Sequence, residues 1–200
     1  MIKININRFL IIILLTLFSF NLYASISNDE ENFVRKFADE AILILSDKNI
    51  AEKDKNNEFT NLVMAAIDIN LISKFVLSKA WKFATDDQKV RYINAFKNYF
   101  INSYANKLSQ YSDERIIITG SEEAGKYTIV NSNIIREGTN TLKINLKWRL
   151  LNKDGIIKII DLNIEGISLI IAQREEFQSF LANNDNDIEA LISKIISVSN

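Results

Sequence analysis

Apolar positions recur every three or four residues in the first part of the chain, the interval at which one side of a helix is buried. Residues 27–47 and 59–77 carry this pattern, and the polar stretch between them predicts a loop or the frayed start of a helix. Thr85 and Gln88 have the spacing of a capping box, which predicts that a long helix begins there and extends to about residue 110. The apolar stripe of this helix contains Phe96, Phe100 and Tyr104.

From residue 115 onward the apolar positions recur every second residue, which is typical of strands. The third predicted strand is the clearest, because its apolar residues, among them Leu146 and Trp148, alternate with lysine, asparagine and arginine. This alternation indicates an antiparallel sheet that is covered on one face only. Two amphipathic helices, over about residues 170–183 and 187–197, are predicted to close the chain. The four predicted strands are 115–120, 127–135, 142–150 and 156–165.

This order of elements predicts an α+β fold, in which a curved antiparallel sheet of about four strands packs against N- and C-terminal helices. Leu162 and Ile164 are predicted to share the apolar face of the fourth strand with Ile160. Where a concave sheet meets helices that cannot fill it, a mostly apolar cavity remains. No linker or repeat interrupts residues 25–200, which are therefore predicted to form a single domain.

The N-terminal segment has the three parts of an export signal. Lys3 and Arg8 supply positive charge, the run from Phe9 to Phe20 is almost entirely apolar, and Ala24 is a small residue at a possible cleavage point. A membrane-spanning helix needs about 20 apolar residues, which is more than this run supplies. Residues 1–24 are therefore predicted to be a cleaved signal peptide, and an uncleaved anchor is the alternative.

Composition removes several classes of function. The chain contains no cysteine and no histidine, which excludes catalytic triads built on histidine and histidine-based metal sites. Only five glycines are present, and no phosphate-binding glycine motif occurs among them. The net charge of −1 gives no electrostatic footprint for nucleic acid. We accordingly expect no metal and no cofactor.

Asp161, Glu165 and Ser168 are the most enzyme-like set of side chains in the chain. A buried aspartate can act as a base in a small curved-sheet enzyme, but such a site also needs a polar group that stabilises an oxyanion. The sequence identifies no such group. We therefore expect no catalytic residues, and we expect these carboxylates to face outward or to hold the turn at Gly166.

Two blocks of sequence resemble the MlaC family, also called toluene-tolerance auxiliary proteins. The first, residues 76–111, is similar to the family pattern V-L-G-x-x-W followed by A-T-x-x-Q and A-F, with Ser78 in place of the usual glycine. The second, residues 161–195, is similar to the pattern D-x-x-x-E-G-x-S-x-x-x-x-x-R-x-x-F, and Ile157 before it replaces a common tryptophan. Together the blocks place the resemblance over essentially the whole chain after the signal.

The resemblance implies a periplasmic phospholipid carrier with an NTF2-like sheet and an additional helical part. It also implies two partners, an inner-membrane ABC transporter with an MCE-type subunit and an outer-membrane lipoprotein complex, between which lipid is shuttled to maintain lipid asymmetry. A carrier or chaperone of acylated proteins is the alternative, and a small NTF2-like enzyme is a further one. The residues expected to contact lipid are Phe96, Phe100, Tyr104, Leu146, Trp148, Leu162, Ile164, Ser168 and Leu169.

Overall fold

A computed structural model describes residues 28–105, 114–136 and 142–199 of the chain. The predicted signal peptide and the end of the predicted long helix lie outside these ranges. The first three helices of the described residues are α1 (Asn28–Ser46), α2 (Glu52–Ala66) and α3 (Ile69–Leu77). A 3₁₀ segment (Ser78–Lys82) then leads to α4 (Asp86–Phe100), which continues as a π-helical segment (Ile101–Ala105).

The capping box that the sequence predicts is present at the start of α4. Thr85 Oγ1 accepts a hydrogen bond from the Gln88 backbone N–H at 3.2 Å, and Gln88 Oε1 accepts one from the Thr85 backbone N–H at 3.0 Å. Both bonds satisfy donors that a helix terminus leaves unpaired, which fixes the residue at which α4 begins. The α-helical geometry gives way to the π-helical segment after Phe100, and the predicted limit near residue 110 lies outside the described residues.

The sheet has five strands in the order β1-β2-β3-β4-β5, all neighbours being antiparallel. The prediction of about four strands missed β5, because a two-residue strand carries no periodicity. Two helices follow the sheet, α5 (Leu169–Ala182) and α6 (Ile188–Ser199). The fold class is therefore α+β, as predicted. The strands are β1 (Glu114–Ala124), β2 (Tyr127–Arg136), β3 (Leu142–Lys153), β4 (Ile156–Ile164) and β5 (Ile167–Ser168).

Two irregularities of the sheet differ from the prediction. Gly120 does not end the first strand but follows a register shift within β1, at a backbone φ of 138° that favours glycine. A second shift lets Ile159 pair with Leu150 while Leu162 pairs with Trp148. Ile160 is the extra residue between these pairs, so the inward face of β4 is formed by Ile159, Leu162 and Ile164.

The main core lies between the inward face of the sheet and the helices. Leu146, Trp148 and Leu150 of β3 are buried, whereas Lys143 and Lys147 of the same strand are exposed, which confirms the predicted one-sided strand. The helices α1 to α6 all contribute side chains to the opposite wall of this core. Within the three described ranges, no helix combines the length and the apolar content that crossing a bilayer requires.

Candidate functional site

An apolar cavity lies where α3, α4 and α5 meet. Six of its eight lining residues are aliphatic or phenylalanine side chains, and the remaining two, Tyr99 and Gln173, carry polar groups. The space open to the centre of a water molecule is about 10 Å³, which is enough for roughly one water. A larger apolar ligand can therefore enter only if these helices separate. The lining residues are Ile72, Val76, Phe96, Tyr99, Phe100, Leu169, Ile170 and Gln173.

Phe96 is the centre of an aromatic cluster that forms the α4 wall of the cavity. Its ring centroid lies 6.3 Å from Phe100, 6.4 Å from Tyr99 and 6.1 Å from Phe177 of α5. Tyr92, one turn earlier, stacks on Phe96 at 5.8 Å and donates a hydrogen bond to a backbone carbonyl of α3 at 3.1 Å. Burial raises the pKa of Tyr92, so its hydroxyl remains a neutral donor.

Tyr99 and Gln173 form the polar edge of the cavity. The Tyr99 hydroxyl donates to Gln173 Oε1 at 3.0 Å, and Gln173 Nε2 donates to Glu176 Oε2 at 2.9 Å. Lys194 of α6 lies 3.6 Å from the other oxygen of Glu176. Burial and the charge of Glu176 raise the pKa of Tyr99. The chain of contacts thus leads from a neutral donor at the cavity to a charged pair at the surface.

The structure brings together three of the nine residues predicted to contact lipid, since Phe96, Phe100 and Leu169 line the cavity. Leu162 and Ile164 are half-buried against the main core, in which Leu146 and Trp148 are fully packed. The Trp148 indole N–H donates to Ser132 Oγ at 2.8 Å. The side chain of Tyr104 lies outside the described part of the structure.

Ser168 and Asp161 together hold the beginning of α5. Asp161 is only 4% exposed, and its carboxylate accepts hydrogen bonds from Ser168 Oγ at 2.6 Å and from the Ile170 backbone N–H at 3.3 Å. Ser168 Oγ in turn accepts from the Ile171 backbone N–H at 3.2 Å, which is the N-cap interaction of the helix. Burial raises the pKa of Asp161, and the two hydrogen bonds oppose that rise.

Glu165 is exposed and lies in a left-handed backbone conformation with a φ of 49°. Its carboxylate accepts hydrogen bonds from the backbone N–H of Asn145 and from the Asn145 side-chain amide, the latter at 3.2 Å. Asp161 and Glu165 thus both support the turn that follows β4. No group of three or more acidic side chains within the described ranges could hold a metal ion.

Sequence reasoning did not identify five of the cavity residues. Ile72 and Val76 are one turn apart on α3, and Tyr99 is one turn from Phe96, but helical spacing does not show what such side chains pack against. Ile170 directly follows Leu169, which was predicted to contact lipid, and both residues line the cavity. Gln173 gave no signal, because a buried glutamine and an exposed one look the same in a single sequence.

Comparison with known protein families gives one match over most of the chain. The family model described as MlaC protein matches residues 35–197. The chain is 26% identical over 138 residues to the intermembrane phospholipid transport system binding protein MlaC of Haemophilus influenzae, covering 68% of this chain and 64% of that protein. It is also 26% identical over 128 residues to the toluene tolerance protein ttg2D of Pseudomonas putida, covering 63% of this chain and 59% of that protein.

A solved structure has the same fold. The phospholipid-binding protein of Ralstonia solanacearum, determined in complex with a phospholipid, superimposes with a TM-score of 0.73 over 84% of this chain and 95% of its own. The two sequences are 17% identical over this superposition. At that identity the likeness establishes the architecture of helices and sheet described above.

Proposed function

The chain belongs to the MlaC family, and from this membership we propose that it is a periplasmic phospholipid carrier. The observation that carries the proposal is the apolar cavity between α3, α4 and α5, where Phe96 and Phe100 face Leu169 and Ile170. The names of the two relatives, which refer to phospholipid transport and to toluene tolerance, support the same function. Export by residues 1–24 would deliver the protein to the periplasm.

Burial of acyl chains supplies the affinity that this function needs. A diacyl lipid has on the order of 30 methylenes, each worth about 0.8 kcal/mol on leaving water, so roughly 20 kcal/mol is available before any cost. Part of that free energy must separate the helices, because the cavity admits only about one water as it stands. The binding energy of the chains thus opens the site that they occupy.

The direction of transport has to come from partners rather than from the cavity. A bilayer and an apolar cavity offer similar surroundings to an acyl chain, so exchange between them is close to balanced. We propose the partners that the family resemblance implies, an inner-membrane ABC transporter with an MCE-type subunit and an outer-membrane lipoprotein complex. The protein would then act as a carrier without catalytic residues, and phospholipid would be its cargo.

Filling the cavity tests this proposal. Leu169 is half-buried at the cavity edge, so Leu169→Trp should obstruct it and weaken phospholipid binding about 5- to 150-fold, the equivalent of an overpacking cost of 1–3 kcal/mol. Leu43→Trp is the matched control, because Leu43 is 70% exposed on α1. The measurement is the amount of lipid bound per protein, by mass spectrometry of the purified protein and of its organic extract.

The same extract separates the alternatives. Intact phospholipid in the wild type and in Leu43→Trp, with loss in a folded Leu169→Trp, is the expected result. An acylated peptide in place of phospholipid would identify a carrier of acylated proteins. Lyso-lipid or free fatty acid that accumulates with time would identify an enzyme, and equal lipid content in all three proteins would place the cargo elsewhere than in this cavity.

A further inference from the structure

The two helices that enclose the cavity on one side also have apolar residues on their outer surface. On α3, Ile72 and Val76 face the cavity, whereas Leu71 and Phe75 are 37% and 38% exposed. On α5, Ile171 is 42% exposed. Because α3 packs directly against α5, these three side chains lie on the solvent side of a single layer of helices that covers the cavity.

Positive charges accompany these apolar residues. The Arg174 guanidinium lies 4.9 Å from the centre of the Phe75 ring, and Lys74 Nζ lies 5.8 Å from the centre of the Trp81 ring. The second contact connects α3 with the 3₁₀ segment, which carries Lys79 and Lys82. Both of these lysines are exposed, and neither forms an ion pair with any residue in the described ranges.

Phe83 follows the 3₁₀ segment and is 81% exposed, the highest exposure among the large apolar side chains of the described structure. We call the set formed by Phe75, Phe83, Lys74, Lys79, Lys82 and Arg174 the basic aromatic face. Its side chains belong to α3, to α5 and to the segment after α3, and the ring contacts of Phe75 and Trp81 connect these elements.

Carboxylates near the basic aromatic face do not neutralise it. Asp86 pairs with Lys89 at 3.0 Å and Asp87 with Arg91 at 2.7 Å, so both already have cationic partners. Asp68 accepts the Leu71 backbone N–H at the start of α3. Glu175 is exposed beside Arg174, and it is one negative charge among four positive ones.

We propose that the basic aromatic face docks on the surface of an anionic phospholipid bilayer. Lysine and arginine are attracted to anionic headgroups, and an exposed phenylalanine enters the boundary between headgroups and acyl chains. Docked in this way, the cavity is separated from the bilayer only by α3 and α5. The inference concerns access to the cavity and is based on surface residues rather than on the cavity lining, so it can fail while the proposed cargo is correct.

Flotation of the purified protein with lipid vesicles tests the docking. Vesicles of phosphatidylcholine with about a third phosphatidylglycerol are compared with vesicles of phosphatidylcholine alone, at low and at high salt. Lys79→Gln with Lys82→Gln should lower the partition coefficient about 25-fold, since each charge near the surface is worth about five-fold. Phe83→Ser should lower it at least about ten-fold, because an inserted phenyl ring leaves the membrane.

Matched controls use the same changes elsewhere on the surface. Lys143→Gln with Lys147→Gln removes the same charge from the exposed side of β3, and Leu43→Ser removes an exposed apolar side chain from α1. Both should leave the partition coefficient within two-fold of wild type. Salt should weaken the binding of wild type, because exposed charges are screened at high ionic strength.

Three results would overturn the docking. In the first, the wild type floats no better with anionic vesicles than with neutral ones. In the second, replacing the β3 lysine pair lowers the partition coefficient as much as replacing Lys79 and Lys82. In the third, the protein self-associates without vesicles and Phe83→Ser abolishes this self-association. That result would assign the basic aromatic face to binding a second copy of this chain. Lipid bound per protein is measured on every variant: normal lipid content with no flotation refutes docking alone, and absent lipid in wild type refutes the carrier function alone.

Discussion

Replacing Trp148 by phenylalanine tests whether this residue belongs to the packed core or to the lipid site. The indole is 3% exposed, its N–H donates to Ser132 Oγ at 2.8 Å, and its ring meets Phe37 of α1 edge-on at 5.7 Å. It is not among the residues that line the cavity. A phenyl ring keeps the contact with α1 and loses the hydrogen bond, so Trp148→Phe should cost stability and leave lipid binding intact.

The expected loss follows from two contributions. A buried hydrogen bond between neutral groups contributes about 1 kcal/mol net. The smaller ring leaves roughly 40 Å³ unfilled, which at about 24 cal/mol per Å³ costs about 1 kcal/mol more. The free energy of unfolding should therefore fall by about 2 kcal/mol, equivalent to about 4–8 °C in Tm for a chain of this size.

Urea denaturation monitored by circular dichroism gives the loss of stability, and mass spectrometry of the same preparation gives the lipid content. Ser132→Ala completes a double-mutant cycle, because it leaves the buried Trp148 N–H without its partner and should cost about 1–3 kcal/mol alone. In the Trp148→Phe background that penalty disappears, so the two changes should be non-additive by about 1 kcal/mol or more.

Trp81→Phe serves as the control, since Trp81 is half-buried beside Lys74 and Lys89 rather than in the core. It should change stability by less than about 1 kcal/mol. The reasoning would be refuted by a Trp148→Phe protein with wild-type stability and clearly reduced lipid content. That result would mean that the indole contacts lipid, as the sequence pattern suggested, and that its place in the core is not maintained in the loaded protein.

Two further predictions concern pH. Burial raises the pKa of Asp161 above its ordinary value of 3.8, so the folded chain holds this proton more tightly than the unfolded chain, and ionisation costs stability as pH rises through the raised pKa. Asp161→Asn should therefore gain in stability relative to wild type between pH 4 and pH 7 in urea denaturation, and a constant difference would contradict this. Arg91 and Gln88 lower the pKa of Glu189 from 4.5 to about 2, so its stabilising contribution is complete above pH 4.5 and is lost as pH falls towards 2. Glu189→Gln should lose that acid dependence, and salt should reduce the difference because the pair is exposed; an unchanged acid profile would exclude the pair as its source.

The sequence determined most of the local structure, because the relevant interactions are between neighbours in the chain. The capping box at Thr85 involves residues three apart, and the alternation along β3 identifies its buried face without knowledge of what covers it. A pattern of this kind reports that a side chain leaves water. The pattern of apolar positions is therefore sufficient to predict the class of fold. The two blocks of sequence that resemble the MlaC family were sufficient to predict the family.

Only the tertiary structure decided what each buried face meets. Phe96 and Trp148 are each marked as buried by the pattern of apolar positions, yet one lines the cavity and the other packs against α1 with its N–H bonded to Ser132. The extra residue Ile160 changes which side chains of β4 face inward, and no local pattern marks it. The physical reason is that burial against protein and burial against a ligand remove the same apolar area from water, so distant contacts alone distinguish them.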